Sequence, residues 1–193
     1  RMLVEEMKGL GIADARVDDK GYVYGHIPAT PGCEDKPSLG LVAHMDTVAD
    51  ASGENIKPQI IENYDGKDVV LKGSGDILKV DEFPYLAELK GRTLITTDGT
   101  TLLGADDKAG IAEILTVAEE IIKEGLPHGK ICIGFTPDEE IGEGPDFFDV
   151  PGFDAEFAYT VDGGEEGEIA YETFNACSAE VAVEGLSVRP GSA

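Results

Sequence analysis

The 193-residue chain carries 39 aspartate and glutamate residues against 15 lysine and arginine residues, a formal net charge of −24 at pH 7. A charge of this sign repels phosphate backbones and anionic lipid, so we expect neither nucleic acid nor a membrane as a partner. With 41% hydrophobic residues the chain can bury a substantial core. No apolar run approaches the roughly 18 residues that a transmembrane helix needs.

The cysteines indicate whether the protein works in an oxidising or a reducing compartment. Cys33, Cys132 and Cys177 are odd in number and widely spaced. This spacing argues against a disulfide framework and against a cysteine zinc site. A reducing compartment is the simpler interpretation.

The first elements alternate between helix and strand. The chain opens inside an amphipathic helix with Leu3, Val4, Met7 and Leu10 on one face, so we expect its true start to be missing. A hairpin follows over residues 15–28, with its turn at Lys20–Gly21. The apolar run LGLVA, residues 39–43, then predicts a buried strand.

Residues 56–97 show a different sequence pattern from the rest of the chain. Short alternating runs separated by glycine-rich turns predict an antiparallel excursion with one short helical piece at residues 83–91. The clearest helix follows from Lys108 to Glu124, because apolar residues recur at helical spacing and Gly125 supplies a C-terminal stop.

Buried strands are also predicted at ICIGF, residues 131–135, and at FAYTV, residues 157–161. The segment ACSAEVAVEGLSV, residues 176–188, predicts a half-buried strand that opens a second domain. We therefore predict an α/β fold, a mixed sheet flanked by helices, over residues 1–174. Residues 175–193 would begin a smaller α+β lid domain.

Four acidic or imidazole clusters follow apolar runs or open the long helix. They are His44-Met45-Asp46, Asp106-Asp107, Asp138-Glu139-Glu140 and Asp162. Active sites in open α/β sheets lie beyond the carboxyl ends of the strands, so the four clusters should lie close together. One imidazole with several carboxylates suits Zn²⁺, Mn²⁺ or Co²⁺ in a catalytic site. The pattern predicts a metallohydrolase.

Each cluster alone has a simpler explanation. A strand-end histidine is more often merely hydrogen-bonded, and aspartates at a helix start more often cap it. The other two clusters could be an exposed loop and a turn. Their joint occurrence at successive strand ends favours one shared site. The remaining histidines, His26 and His128, are interpreted as surface residues.

The same residues carry a family resemblance, in the motifs VAHMDT, TLITTDGTTLLGADDKAGIAEI, FTPDEEIGEG and FAYTVDGG, with NIKPQIIENYDGKD between the first two. The chain closely resembles bacterial tripeptide aminopeptidases of the co-catalytic di-zinc family that also contains aminoacylases and the carboxypeptidase G type. The resemblance runs along the whole chain and implies an N-terminal-half fragment of a cytoplasmic enzyme. The implied substrates are tripeptides, and a homodimer is an implied assembly.

The resemblance implies that His44, Asp106, Glu140 and Asp162 bind metal. Asp106 would bridge two Zn²⁺ ions, for which Co²⁺ or Mn²⁺ could substitute. His44 and Asp162 would complete one site. Glu140 and a histidine much further along the chain would complete the other.

The resemblance also implies the catalytic residues. Asp46 would accept the imidazole N–H of His44, and Glu139 would act as general base beside its neighbour Glu140. Adjacent residues on an extended segment point opposite ways, so one loop could supply both roles. The Asp106–Asp107 peptide is expected to be cis. At Arg189 the sequence departs from the family, which usually has a histidine before Pro-Gly.

Two other functions stay open at this point. One is a hydrolase of the same fold that acts on N-acyl amino acids or dipeptides, and the other is a non-enzymatic acidic metal-binding domain. Within this chain the second metal would have only Asp106 and Glu140, whereas a catalytic zinc normally has three protein ligands. We therefore expect weak binding of that metal and an inactive 193-residue chain. Uncovered apolar surface should favour self-association.

Overall fold

A computed structural model describes residues 1–164, 166–172, 175 and 177–185 of the chain. Contacts between residues divide the chain into a unit from Arg1 to Gly163 and a unit from Gly164 to Ala193. Every helix and strand among the described residues lies in the first unit. The predicted boundary between residues 174 and 175 stays a prediction, and Arg189 lies outside the described residues.

The first unit contains helices on both faces of a sheet, together with two small two-stranded sheets. In chain order the elements are α1 (Met2–Gly9), β1 (Arg16–Val17), β2 (Val23–Ile27), β3 (Leu39–His44), β4 (Gln59–Ile61), β5 (Val69–Val70), β6 (Ile77–Leu78), β7 (Leu94–Thr96), α2 (Ala105–Glu124), β8 (Ile131–Thr136), α3 (Val150–Phe153) and β9 (Phe157–Thr160).

The main sheet has five strands in the order β1-β2-β8-β3-β9. Strand β3 is parallel to both β8 and β9, while β2 is antiparallel to β8 and to β1. This confirms the predicted mixed sheet. Because β3, β8 and β9 run in one direction, their carboxyl ends lie at the same edge. At that edge His44 is paired in register with Thr136.

Alternate residues of the central strands face different layers. On β8, Ile131, Ile133 and Phe135 belong to the main core beneath α1 and α2. Between them Cys132 packs with Tyr22, Tyr24 and Phe153 on the opposite face. The predicted apolar face of α1 is confirmed, since Met7 is fully buried and Leu3, Val4 and Leu10 pack beside it.

Helix α2 supplies most of the helical core. Its buried residues recur at helical spacing: Gly110, Ile111, Ile114, Leu115 and Ala118. The backbone angles are non-helical at Asp106 and Asp107, so regular helix begins at Lys108 as predicted. The predicted stop is also confirmed, because Gly125 adopts a left-handed conformation with φ of 62°.

The excursion over residues 56–97 is antiparallel, as predicted. Strand β4 pairs with β7 and β5 with β6, and a 3-10 turn at Pro84–Leu89 matches the expected helical piece. The excursion has a small core of its own around Tyr64, Val69 and Leu71.

Two strand predictions are wrong in part. Strand β9 exists but is exposed rather than buried, with Phe157 46% and Tyr159 49% accessible, because it ends the sheet order. Residues 177–185 form no strand and are exposed. The rest of that predicted strand, residues 176 and 186–188, lies outside the described residues.

All three cysteines are free thiols. None of the helices among the described residues has the length and apolar character that a membrane span requires.

Candidate metal centre

Four segments meet at the carboxyl end of β3. They are the end of β3, the start of α2, the turn after β8 and the residues after β9. They bring together all of the residues predicted for the site: His44, Asp46, Asp106, Glu139, Glu140 and Asp162.

His44 lies at the middle of this group, and its side chain is 2% exposed. Its Nε2 is 2.8 Å from Asp106 Oδ1, 3.8 Å from Asp162 Oδ2 and 3.9 Å from Glu139 Oε2. Burial alone would lower the pKa of His44, but the hydrogen bond to Asp106 and the negative charges of the neighbouring aspartates outweigh burial and raise it. The carboxylate oxygens around the ring thus favour its charged form.

Asp46 has more partners than the sequence suggested. The Nδ1 of His44 is 3.1 Å from the main-chain oxygen of Asp46 and 3.4 Å from its Oδ1. The Asp46 carboxylate accepts hydrogen bonds from the backbone N–H groups of Glu139, at 3.2 Å, and Glu140, at 3.0 Å. Burial would raise the pKa of Asp46, but these two N–H groups hold it below the ordinary value. Asp46 thus joins the end of β3 to the turn after β8.

That turn is not extended, so the expected arrangement of the two glutamates is wrong in its geometry. Residues Glu139–Ile141 form a 3-10 turn that follows Asp138, which has a left-handed backbone. The two side chains nevertheless diverge. Glu139 Oε2 faces the His44 ring at 3.9 Å, whereas Glu140 Oε1 accepts the N–H of Val48 at 3.1 Å. The turn, rather than the pleat of a strand, separates them.

Asp107 belongs to a predicted cluster, but the sequence assigned it no role of its own. It is 2% exposed, and its carboxylate accepts the N–H groups of His44 and Gly110, each at 3.1 Å. Burial raises the pKa of Asp107 to about 6. Its position beside Asp106 was the only available signal. The peptide between these two aspartates is cis, as expected.

The two remaining histidines do not join the site. His128 is partly exposed in a loop, with Nδ1 2.7 Å from the Gly129 oxygen. His26 lies within β2 rather than after it and is half-buried, with a side chain 14% exposed. Its Nδ1 is 2.6 Å from Asp14 Oδ2, so it ties β2 to the loop before β1.

Two groups of side chains place ligand atoms within 4.8 Å of one another. One is His44, Asp106 and Glu140, and the other is His44, Asp107 and Asp162. Each offers an imidazole and two carboxylates, a donor set that suits Zn²⁺ or Mn²⁺. The residues present therefore fit a metal ion.

Solved structures share this architecture. A tripeptidase from Staphylococcus aureus matches with a TM-score of 0.61 and 29% identity, over 85% of this chain and 37% of that one. Aminopeptidase PepT from Bacillus cereus matches with a TM-score of 0.62 and 27% identity, over the same shares. Aminoacylhistidine dipeptidase from Vibrio alginolyticus matches with a TM-score of 0.56 and 26% identity, over 86% and 28%. The fold is therefore similar to that of these solved peptidases, of whose chains this one covers 28 to 37%.

The sequence relatives share one name, peptidase T. The chain is 56% identical to peptidase T of Clostridium acetobutylicum over 193 residues, which cover 99% of this chain and 47% of that protein. It is 54% identical to peptidase T of Bacillus subtilis over 194 residues, which cover 100% and 47%. The chain is thus a sequence relative of peptidase T along its whole length, and it spans about half the length of these curated relatives. No family model matches the chain.

Proposed function

We propose that this chain forms the metal-binding part of an aminopeptidase that removes the N-terminal residue from tripeptides. The observation that carries the hydrolytic function is the set of carboxylate oxygens around His44 Nε2, contributed by Asp106, Glu139 and Asp162. The choice of tripeptides rests on the relatives, which are named peptidase T and tripeptidase. The proposed location is the cytoplasm, and the proposed assembly is a homodimer.

The proposed ligands are His44, Asp106, Glu140 and Asp162, with Asp106 shared between two Zn²⁺ ions. Co²⁺ and Mn²⁺ are the proposed substitutes, since the same donor types suit them. When bound, the metal pair would polarise the scissile carbonyl and make water a stronger nucleophile. Asp107 supports this group, because its carboxylate accepts a hydrogen bond from the backbone N–H of His44 and so fixes the position of that residue.

Glu139 is the proposed general base. Its side chain is 50% exposed and its Oε2 faces the His44 ring, so the carboxylate is open to a water molecule and to a peptide. Glu139 would take a proton from the attacking water and deliver it to the departing amine. Asp46 positions Glu139 by accepting its backbone N–H, which places the base relative to His44.

The test compares substrates and metal states. We expect a tripeptide to be cleaved after its first residue, activity to be lost with a chelator, and Zn²⁺ or Co²⁺ to restore it. The assay should use both the 193-residue chain and a longer protein that contains it at the relatives' full length. Faster cleavage of N-acyl amino acids or dipeptides would favour the other hydrolase of this fold. Metal binding without hydrolysis of any of these would favour a non-enzymatic domain.

A further inference from the structure

Two buried tyrosine hydroxyls hold the segment that follows the turn after β8. Tyr22, directly before β2, is 2% exposed, and Tyr24, within β2, is 1% exposed. The Tyr22 hydroxyl donates to the main-chain oxygen of Gly144 at 2.9 Å and accepts the N–H of Phe147 at 3.4 Å. The Tyr24 hydroxyl accepts the N–H of Asp149 at 2.9 Å. The two hydroxyls thus fix successive points of one segment.

The rings of both tyrosines are packed firmly. They are stacked on each other with their centroids 6.3 Å apart, and Phe148 lies edge-on to both, at 6.0 Å from Tyr22 and 5.3 Å from Tyr24. A ring that is packed in this way has few accessible rotamers. The sheet therefore determines where each hydroxyl lies.

Gly144 lies directly against the backbone of Glu139. Gly144 is buried, and a β-carbon placed on it would lie 3.3 Å from the Cα of Glu139 and 3.6 Å from its Cβ. The turn between them is closed by two backbone hydrogen bonds. The N–H of Glu143 donates to the oxygen of Asp138 at 3.0 Å, and the N–H of Gly142 donates to the oxygen of Glu139 at 2.7 Å. A displacement of Gly144 would therefore be passed on to Glu139.

The backbone of Glu139 is thus held from two sides. On the side of the metal centre, the Asp46 carboxylate accepts its N–H at 3.2 Å. On the other side, Gly144 packs against it and is bonded to Tyr22. The side chain of Glu139 is itself 50% exposed, so the backbone that carries it decides where the carboxylate lies.

We propose that Tyr22 is a positioning residue for the general base. Its buried hydroxyl fixes Gly144 against Glu139 and thereby sets the place of the Glu139 carboxylate relative to the His44 ring. This inference rests on the proposed function, in which Glu139 is the base. Tyr24 has a hydroxyl of equal burial that is bonded further along the segment, so it has no part in this role.

The kinetic test removes one hydroxyl at a time from the longer protein loaded with Zn²⁺. Tyr22→Phe should lower kcat for tri-alanine by about tenfold, because a small displacement of a catalytic group is costly to the rate. Its metal content and KM should stay near the wild-type values. Tyr24→Phe is the matched control, since it also loses one buried hydroxyl, and its kcat should stay near that of the wild type.

A second background separates positioning from a merely structural role. In Glu139→Gln, which has no base to position, adding Tyr22→Phe should leave the residual kcat unchanged, because two changes that act through one group are not additive. An equal loss of kcat in the wild-type and Glu139→Gln backgrounds would overturn the inference.

Hydrogen exchange followed by mass spectrometry tests the contact without turnover. In Tyr22→Phe, residues 138–144 should exchange about threefold faster or more, because the oxygen of Gly144 loses its buried partner. In Tyr24→Phe the same residues should exchange as in the wild type. Unchanged exchange of residues 138–144 in Tyr22→Phe would contradict the inference.

The two proposals fail in different ways. A wild-type protein that cleaves no tripeptide contradicts the proposed function, and hydrogen exchange then decides by itself whether Tyr22 positions Glu139. A wild-type protein that cleaves tripeptides, with equal kcat in Tyr22→Phe and Tyr24→Phe, contradicts the positioning role alone.

Discussion

At the scale of single residues, His44 is held from three directions. Asp107 accepts its backbone N–H, the main-chain oxygen of Asp46 lies at its Nδ1, and Asp106 lies at its Nε2. Because the backbone and both ring nitrogens have partners, the ring has little freedom to rotate. A ligand that is fixed in this way loses little conformational entropy when a metal binds.

The paired glutamates give the sharpest residue-level prediction. Glu139→Gln should retain metal and lose turnover by two to four orders of magnitude, since an amide cannot act as the base. Glu140→Gln should lose about one metal ion per chain, because the amide is a poorer ligand than the carboxylate. Metal content by mass spectrometry after dialysis and kcat, both measured in the longer protein, report the two effects. Equal metal loss in the two variants would show that the roles are misassigned.

Residue chemistry was easier to predict than residue environment. The strand-end pattern was enough to select His44 and the acidic clusters, because it is local in sequence. The burial of Asp107 was not readable, since it arises only when α2 packs against β3. The bonds from Asp46 to the turn after β8 join residues 93 and 94 positions apart, which no local pattern reports.

At the scale of elements, the start of α2 lies very close to the segment after β9. A β-carbon placed on Gly110 would lie 2.0 Å from the main-chain oxygen of Val161 and 2.5 Å from Asp107 Oδ1. Only a residue without a side chain allows this approach. The glycine therefore lets the helix bring Asp107 beneath His44.

Gly110→Ala should accordingly lower the free energy of unfolding by about 1 to 3 kcal/mol or more, because backbone must move to admit the methyl group. Gly9→Ala in α1 is the matched control, since a β-carbon there meets no atom within 4 Å. It should change stability by less than about 1 kcal/mol. Urea denaturation followed by circular dichroism measures both, and similar values for the two variants would contradict the close approach.

The elements themselves were largely predictable, and the two exceptions have different causes. Periodic apolar spacing was sufficient for α2, and turn residues were sufficient for the hairpin and the excursion. The exposure of β9 was missed because an apolar run does not report whether its strand lies inside the sheet or ends it. The 3-10 turn of Glu139 was missed because it begins with a left-handed Asp138, a conformation uncommon for residues other than glycine.

At the scale of the whole molecule, the chain spans 47% of the length of its peptidase T relatives, so its activity is best tested against a longer protein. With tripeptide and saturating Zn²⁺, we expect the 193-residue chain to turn over at least a hundredfold more slowly than a protein of the relatives' length. The physical reason is the ligand count, since a catalytic zinc normally has three protein ligands and a water. Comparable turnover in the two proteins would contradict this expectation.

The hydrogen bonds that assemble the site connect residues 62, 63, 93 and 94 positions apart. In the unfolded chain these residues therefore lie in separate segments, which hold His44 with Asp46, Asp106 with Asp107, and Glu139 with Glu140. A metal ion would then have far more affinity for the folded chain than for the unfolded one, and binding would add to folding stability by mass action. The sheet that carries the site is closed by contacts of the same range, since Leu39 pairs with Ile131 and His44 with Thr136. Metal binding and formation of the sheet should therefore be coupled, so that Zn²⁺ stabilises both together.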